Sequence, residues 1–431
     1  MTTDISRRGF MQAAGAVGVI GASHSLFPSW MPRLVFSPTM QQGPGDVLVH
    51  IFLRGGMDGL SAVVPYSEGA YYYDARPTLA VPEPGRGPNS ALELDGRFGL
   101  HPTLAPLKEI YDEGDLAFVH ATGLTDPTRS HFDAMLFMEY GVPGDKSVGT
   151  GWIGRHLQSA AWQNSSPFRA VGMGTMIPDV LRGPVTPLAI KSIADFHFRG
   201  RDDELRQLQH SLSSLYAMDA GVAGPPGLLS RQSDLVFETI GVLQSLDAGN
   251  YTPAAGVAYP EDEEGFGMGL KQVAQLIKAN VGLEVASIDL GGWDTHEAQG
   301  TLDGEMNGLL GYLTQGLHAF YTDLGERMQG VTVVVMSEFG RTIDENGSAG
   351  TDHGHGNAMF LMGGGVKGGQ VFGPWPGLDP ANRDDSDDLA ITTDYRDVVA
   401  EVVKLRLGNP ALDAVFPNFT PTPLGLFEGR A

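Results

Sequence analysis

A chain of 431 residues, 42% of them hydrophobic, can bury a large core, and its length suits one large α/β unit as well as two or three smaller domains. A formal net charge of −23 excludes a surface built for nucleic acid or anionic membrane and fits a soluble acidic protein. The absence of cysteine excludes disulfides, thiolate metal sites and cysteine nucleophiles together.

The first feature in chain order is a targeting signal. The segment SRRGFMQAAGAVGVIGA sets Ser6, Arg7, Arg8 and Phe10 before a weakly apolar run. That order resembles a twin-arginine export signal, and the run is too short to span a bilayer as a helix. The plainer reading is a basic N-terminal arm. No clean A-x-A cleavage site follows, so the mature start is expected between Ala22 and Gly43. Residues 1–43 are read as signal and flexible segment, and 44–431 as one domain. The expected partner is the twin-arginine translocation machinery, and the expected location is periplasmic or secreted. No later run has the length and apolarity of a membrane span.

Short, nearly continuous apolar runs then predict buried strands: VLVHIFL (47–53), LAFVHA (116–121), FRAVGM (168–173), LEVASIDL (283–290), VTVVVM (331–336) and MFLM (359–362). Helical spacing lies between them, as in HPTLAPLKEIYDEG and NGLLGYLTQGLHAFYTDLGERM. This alternation predicts a three-layer αβα fold with a mostly parallel central sheet. Residues 203–247 read as a helical pair, an insertion over one edge or the mouth of the sheet.

Ligands of open α/β sheets bind beyond the carboxyl ends of the strands, so the loops after these runs carry the chemistry. They bring Asp58 in RGGMDG, Ser130 and His131 in TRSHFDA, Asp294 and His296 in GGWDTH, Glu338 and Arg341 in SEFGRT, and Asp352, His353 and His355 in GTDHGHG. Taken singly, each has a plainer reading. Asp58 suits a turn and Asp294 a helix cap. Ser130 and Asp133 have the spacing of a capping box, and His353 and His355 suit loop histidines bonded to backbone. Together, carboxylate and imidazole without thiolate form a ligand set for one or two divalent ions: zinc, manganese, iron or magnesium. Ser130 at a helix N-terminus suits a nucleophile beside an anion. Arg54 or Arg341 suits the planar fork for non-bridging oxygens, with an ordinary ion pair as the alternative for both.

The motifs LRGGMDG, RSHFDA, GGWDTH, SEFGRT and GTDHGHG, behind a twin-arginine signal, resemble the DUF1501 family. That family is similar in its core to the alkaline phosphatase and sulfatase superfamily, and the resemblance runs from about Val47 onward. It implies Asp58 as a first-strand metal ligand and Ser130 as nucleophile. It implies Asp294 and His296 as ligands of a first metal, and His353 or His355 as a final histidine ligand. The slot for an acidic–histidine pair at a second metal reads Ser337–Glu338, without the histidine. Asp294 and His296 are also closer in sequence than the superfamily pattern has them. The implied function is an exported metal-dependent hydrolase of phosphate or sulfate esters, small or polymeric. The alternative is a non-catalytic metal- or carbohydrate-binding exported protein that keeps the fold.

Three further segments are weighed and set aside. SSPFR (165–169) fits the pattern that sulfatases convert to formylglycine, but it leads into an apolar run instead of opening a helix. MGGGVKGG lacks the Lys-Ser/Thr of a P-loop and reads as a turn between strands. YYYDARPTLAV reads as core packing before it reads as a substrate mouth.

Overall fold

The computed structural model describes residues 46–161, 164, 166–193, 251–262 and 265–429. Arg7 and Arg8, and the helical pair expected over 203–247, lie outside the described residues.

Nine strands form the main sheet. In chain order they are β1 (Val47–Leu53), β2 (Leu116–Gly123), β3 (Ala170–Met173), β4 (Leu188–Ala189), β5 (Val285–Leu290), β6 (Val331–Ser337), β7 (Asn357–Gly363), β8 (Val371–Phe372) and β9 (Thr393–Asp394). Their spatial order is β8-β2-β7-β6-β1-β5-β3-β4, and β9 also pairs with β2. Strand β7 runs against its neighbours β2 and β6, while every other pairing in this sheet is parallel.

The apolar runs become strands because both faces of the sheet are covered. Val47, Val49, Ile51 and Leu53 of β1 enter one core, whereas Leu48 and Phe52 enter the other. The first core is completed by α1 (Ala105–Glu113), α4 (Phe266–Lys278) and α5 (Glu305–Leu324). The second is completed by α2 (His131–Tyr140), α3 (Trp152–Ser159) and α6 (Tyr395–Glu401). Each fully buried Val, Leu, Ile or Phe contributes about 1.5–3 kcal/mol, so polar groups are tolerated only where the strands stop.

Register sets that stopping line. Leu53 lies level with Leu290 and with Ser337, and Asn357 lies level with Thr122. The loops after β1, β2, β5 and β6 therefore open on one edge. Because β7 is reversed, residues 338–356 both leave and re-enter the sheet at that edge. MGGGVKGG is the turn from β7 towards β8, with positive φ at Gly363, Gly365 and Gly369. No helix among the described residues is long and apolar enough to cross a membrane.

Candidate metal centre

The loop after β1 turns through Gly55 at φ +123°. A Cβ there would sit 2.6 Å from the Asp294 amide nitrogen, so glycine is what lets the loops after β1 and β5 touch. Arg341 ties the same loops together. Its buried guanidinium donates to the carbonyls of Gly56 (2.7 Å), Thr351 (3.0 Å), Trp293 (2.8 Å) and Gly55, and to Asp294 Oδ1 at 2.7 Å. All of that donor capacity faces protein. Arg54 is likewise committed, to Asp289 at 2.7 Å and Glu139 at 3.2 Å.

Around Asp294 Oδ1 stand three imidazole nitrogens: Nε2 of His353 and of His296, each at 3.0 Å, and Nε2 of His131 at 3.2 Å. The His296 and His353 Nε2 atoms are 2.9 Å apart. The opposite nitrogen of each ring faces an oxygen that accepts. His131 Nδ1 meets Glu338 Oε1 at 2.8 Å, His296 Nδ1 meets Asp352 Oδ1 at 2.9 Å, and His353 Nδ1 meets the Arg129 carbonyl at 2.9 Å. A carboxylate or carbonyl cannot donate, so each Nδ1 carries a proton; a neutral ring then offers its Nε2 lone pair to a cation, whereas a protonated ring donates from Nε2 to Asp294 Oδ1. In the neutral form three nitrogen lone pairs gather around one carboxylate oxygen, an arrangement that a shared cation relieves. The separations of Asp294 Oδ1 from the three rings and of His296 from His353, 2.9–3.2 Å, are of the order of the roughly 3.3 Å ligand–ligand distance around a tetrahedral zinc with bonds of about 2.0–2.1 Å. His131, Asp294 and His353 form a group able to hold a metal ion, their ligand atoms all within 4.8 Å of one another.

The electrostatics follow from these contacts. Burial works to raise the Asp294 pKa, but hydrogen bonds from His353 and Arg341 and the Arg341 charge carry it well below the usual carboxylate range. The hydrogen bond to Glu338 lifts His131 above the ordinary imidazole value despite partial burial. His353 is lowered, chiefly by burial. Asp352 is held low, first by its bond with His296.

Of the six residues expected as ligands, Asp294, His296 and His353 converge here and three stand elsewhere. Asp58 is 1% exposed, and its Oδ2 accepts from Arg76 at 2.6 Å, Ser61 at 2.7 Å and Gln299 at 2.8 Å. Burial would raise its pKa, but the Arg76 charge and these bonds reverse the sign. Glu338 lies behind His131, and it also accepts from the Gly55 amide at 2.8 Å and the Ser337 hydroxyl at 3.0 Å. His355 pairs with Asp384. Ser130 occupies the cap position of α2, yet its exposed hydroxyl makes no capping bond. Ser165 of the sulfatase-like pattern lies outside the described residues, and Arg169 pairs with Glu284 at 2.9 Å.

Two residues that complete this picture were given no role from the sequence. His131 was noted in TRSHFDA beside Ser130 but not counted among the ligands, because the capping pattern drew attention to its neighbour. Arg76 lay in a segment read for its tyrosines, and nothing in its spacing announced a partner at Asp58.

Solved structures with a similar course of chain are distant. The zinc complex of the C-terminal periplasmic domain of EcEptC from Escherichia coli has 12% identity and a TM-score of 0.37, covering 91% of this chain and 92% of that one. The lipoteichoic acid synthase LtaP from Listeria monocytogenes has 10% identity and a TM-score of 0.34, covering 81% and 74%. The PsFucS1 sulfatase from Pseudoalteromonas sp. has 10% and 0.34, covering 84% and 68%. Likenesses at this level bear on neither substrate nor metal. No curated protein sequence is significantly similar to the chain. The family model described as a protein of unknown function, DUF1501, matches residues 46–402, so the chain belongs to the DUF1501 family.

Proposed function

We propose that this protein is a divalent-metal-dependent hydrolase of phosphate or sulfate esters, built as a three-layer αβα fold of the alkaline phosphatase type. In this reading it is exported by the twin-arginine route to the periplasm or beyond. One observation supports the metal: three imidazole Nε2 atoms, each with a free lone pair when its neutral ring donates from Nδ1, surround Asp294 Oδ1. His131, Asp294, His296 and His353 are the ligands. Three imidazoles and one carboxylate suit zinc, iron or manganese better than magnesium, which prefers oxygen. When bound, the ion supplies Lewis acidity for a phosphoryl or sulfuryl oxygen.

The chain's own groups do the rest. Ser130 lies between Arg129, whose carbonyl orients His353, and the ligand His131. Its hydroxyl, free of a capping bond, is the nucleophile: Oγ bonds to phosphorus or sulfur as the bond to the ester oxygen breaks, its proton leaves with the departing alcohol, and water then cleaves the Oγ ester to return the serine. The first amides of α2 favour the anion there. Arg341 fixes Asp294 and the loop carbonyls, and Arg54 braces the start of the β1 loop through Asp289 and Glu139.

The Asp58–Arg76 pair favours a second reading, since a guanidinium already neutralises the acid expected to bind metal. In that reading the protein is a non-catalytic metal- or carbohydrate-binding exported protein. Turnover of an aryl phosphate and an aryl sulfate by metal-loaded protein separates the two. In the hydrolase, Ser130→Ala lowers turnover by orders of magnitude and keeps its metal. Wild-type protein inert on both esters with its metal seated makes the binding protein the better account. Replacing Arg7 and Arg8 together by lysine is expected to retain the protein in the cytoplasm, and normal export of that variant contradicts the twin-arginine route.

A further inference from the structure

Loop 124–130, between β2 and α2, has no regular secondary structure and still delivers Arg129, Ser130 and the approach to His131. It is gripped from outside by residues 384–389. The Arg129 guanidinium pairs with the Asp388 carboxylate, whose side chain is 3% exposed, while Arg129 itself is 36% exposed. Asp388 is set in place by Asp384, whose Oδ1 accepts from the Asp388 and Ser386 amides, each at 2.9 Å. The other Asp384 oxygen pairs with His355 Nδ1, and His355 Nε2 lies 3.4 Å from the Pro127 carbonyl. Leu389 closes the unit: its carbonyl accepts from the Gly356 amide at 3.0 Å, where a Cβ on Gly356 would lie 2.7 Å away.

These contacts run in one direction, towards the metal centre. We infer that Asp388, set by Asp384, is a positioning residue for the centre: by holding the Arg129 side chain it fixes the Arg129 carbonyl, and that carbonyl fixes the tautomer and ring direction of His353. An exposed ion pair between long side chains contributes little. Here the carboxylate is buried and has one place to go, so losing it frees the half-exposed Arg129 and lets the loop turn its carbonyl away. Partners that orient a ligand histidine typically change metal affinity by about 10–100-fold when removed. His355, next but one to His353, serves the same clamp at Pro127. Ser130 is held with the loop.

This inference rests on the metal reading and not on ester hydrolysis. Its test is Co2+ titration of the metal-free full chain, followed by visible d–d absorption, which reports affinity and ligand geometry together. Asp388→Asn is expected to weaken Co2+ by about 10–100-fold and to change the band shape. Asp388→Glu, which restores the carboxylate, recovers most of both. Arg129→Ala gives the same loss, and the double variant is no weaker than the weaker single, because both substitutions break one chain of contacts. Wild-type affinity and spectrum in Asp388→Asn or Arg129→Ala overturn the positioning role. If Asp388→Asn does not fold, Arg129→Ala decides alone. A wild-type chain that takes up no Co2+ refutes the metal centre itself, a separate result.

Discussion

Two aspartates of this chain start from the same kind of address and end in opposite states. Asp58 follows β1 and Asp294 follows the neighbouring β5, and the strand ends lie level. Each has an arginine, Arg76 at 2.6 Å and Arg341 at 2.7 Å. Asp58 is nevertheless closed, 1% exposed and bonded to Ser61 and Gln299. Asp294 is open, with a side chain 47% exposed and three imidazole nitrogens around one oxygen. The cation that pairs with Asp58 Oδ2 is part of the fold, whereas the ring around Asp294 is able to hold one taken from solution. On the proposed reading, a strand-end acid is available as a ligand when imidazole nitrogens, and not donors alone, stand around it.

The contrast breaks most sharply at Arg76. Arg76→Met leaves a carboxylate buried without its partner, and also removes donors to the Ile343 and Thr342 carbonyls. The expected cost is about 3–5 kcal/mol in denaturant unfolding, with metal content of the folded fraction unchanged. A loss below about 1 kcal/mol, the range of exposed pairs, would show that Asp58 is not the closed site described.

Glu338→Gln acts on the open side. It replaces the charged acceptor behind His131 by a neutral one, and metal affinity should fall by about 10–100-fold, or roughly 1.4–2.7 kcal/mol, measured by competition with a chelator. Unchanged affinity would remove Glu338 from the support of His131. Asp352→Asn should do the same to His296 more weakly, because a side chain 61% exposed is readily replaced by water. A larger effect than that of Glu338→Gln would reverse the ranking by burial.

The smallest effect on stability is expected at Ser130. Its hydroxyl makes no capping bond, so Ser130→Ala should change stability by no more than about 0.5 kcal/mol in denaturant unfolding. A loss near 1 kcal/mol would reveal a cap in solution.

The strands were legible because burial on both faces leaves a continuous apolar run: VLVHIFL corresponds to β1 residue for residue. The reversal of β7 was not, since a strand covered on both faces reads the same in either direction. MFLM marked only its middle, because Asn357 and Gly363 take part in the ladder without adding to the apolar run. The common edge was legible as well, from polar residues collected just after apolar runs. What the edge does with them was not. Which acid meets an arginine depends on contacts such as Arg341 with Gly55, 286 residues apart in sequence. The capping pattern at Ser130 placed the start of α2 correctly, although the hydroxyl does not use it. The same pattern hid His131, whose place is visible only when the loops after β2, β5 and β6 are brought together.

The most direct measurement is elemental analysis of folded, purified protein, as metal ions per chain, in the wild type and in His131→Ala. One transition-metal ion per chain in the wild type and none in the variant is expected, because Asp58 is already neutralised by Arg76 and His131 is one of the proposed ligands. Two ions per chain, or full occupancy in His131→Ala, would contradict the division into one closed and one open acid.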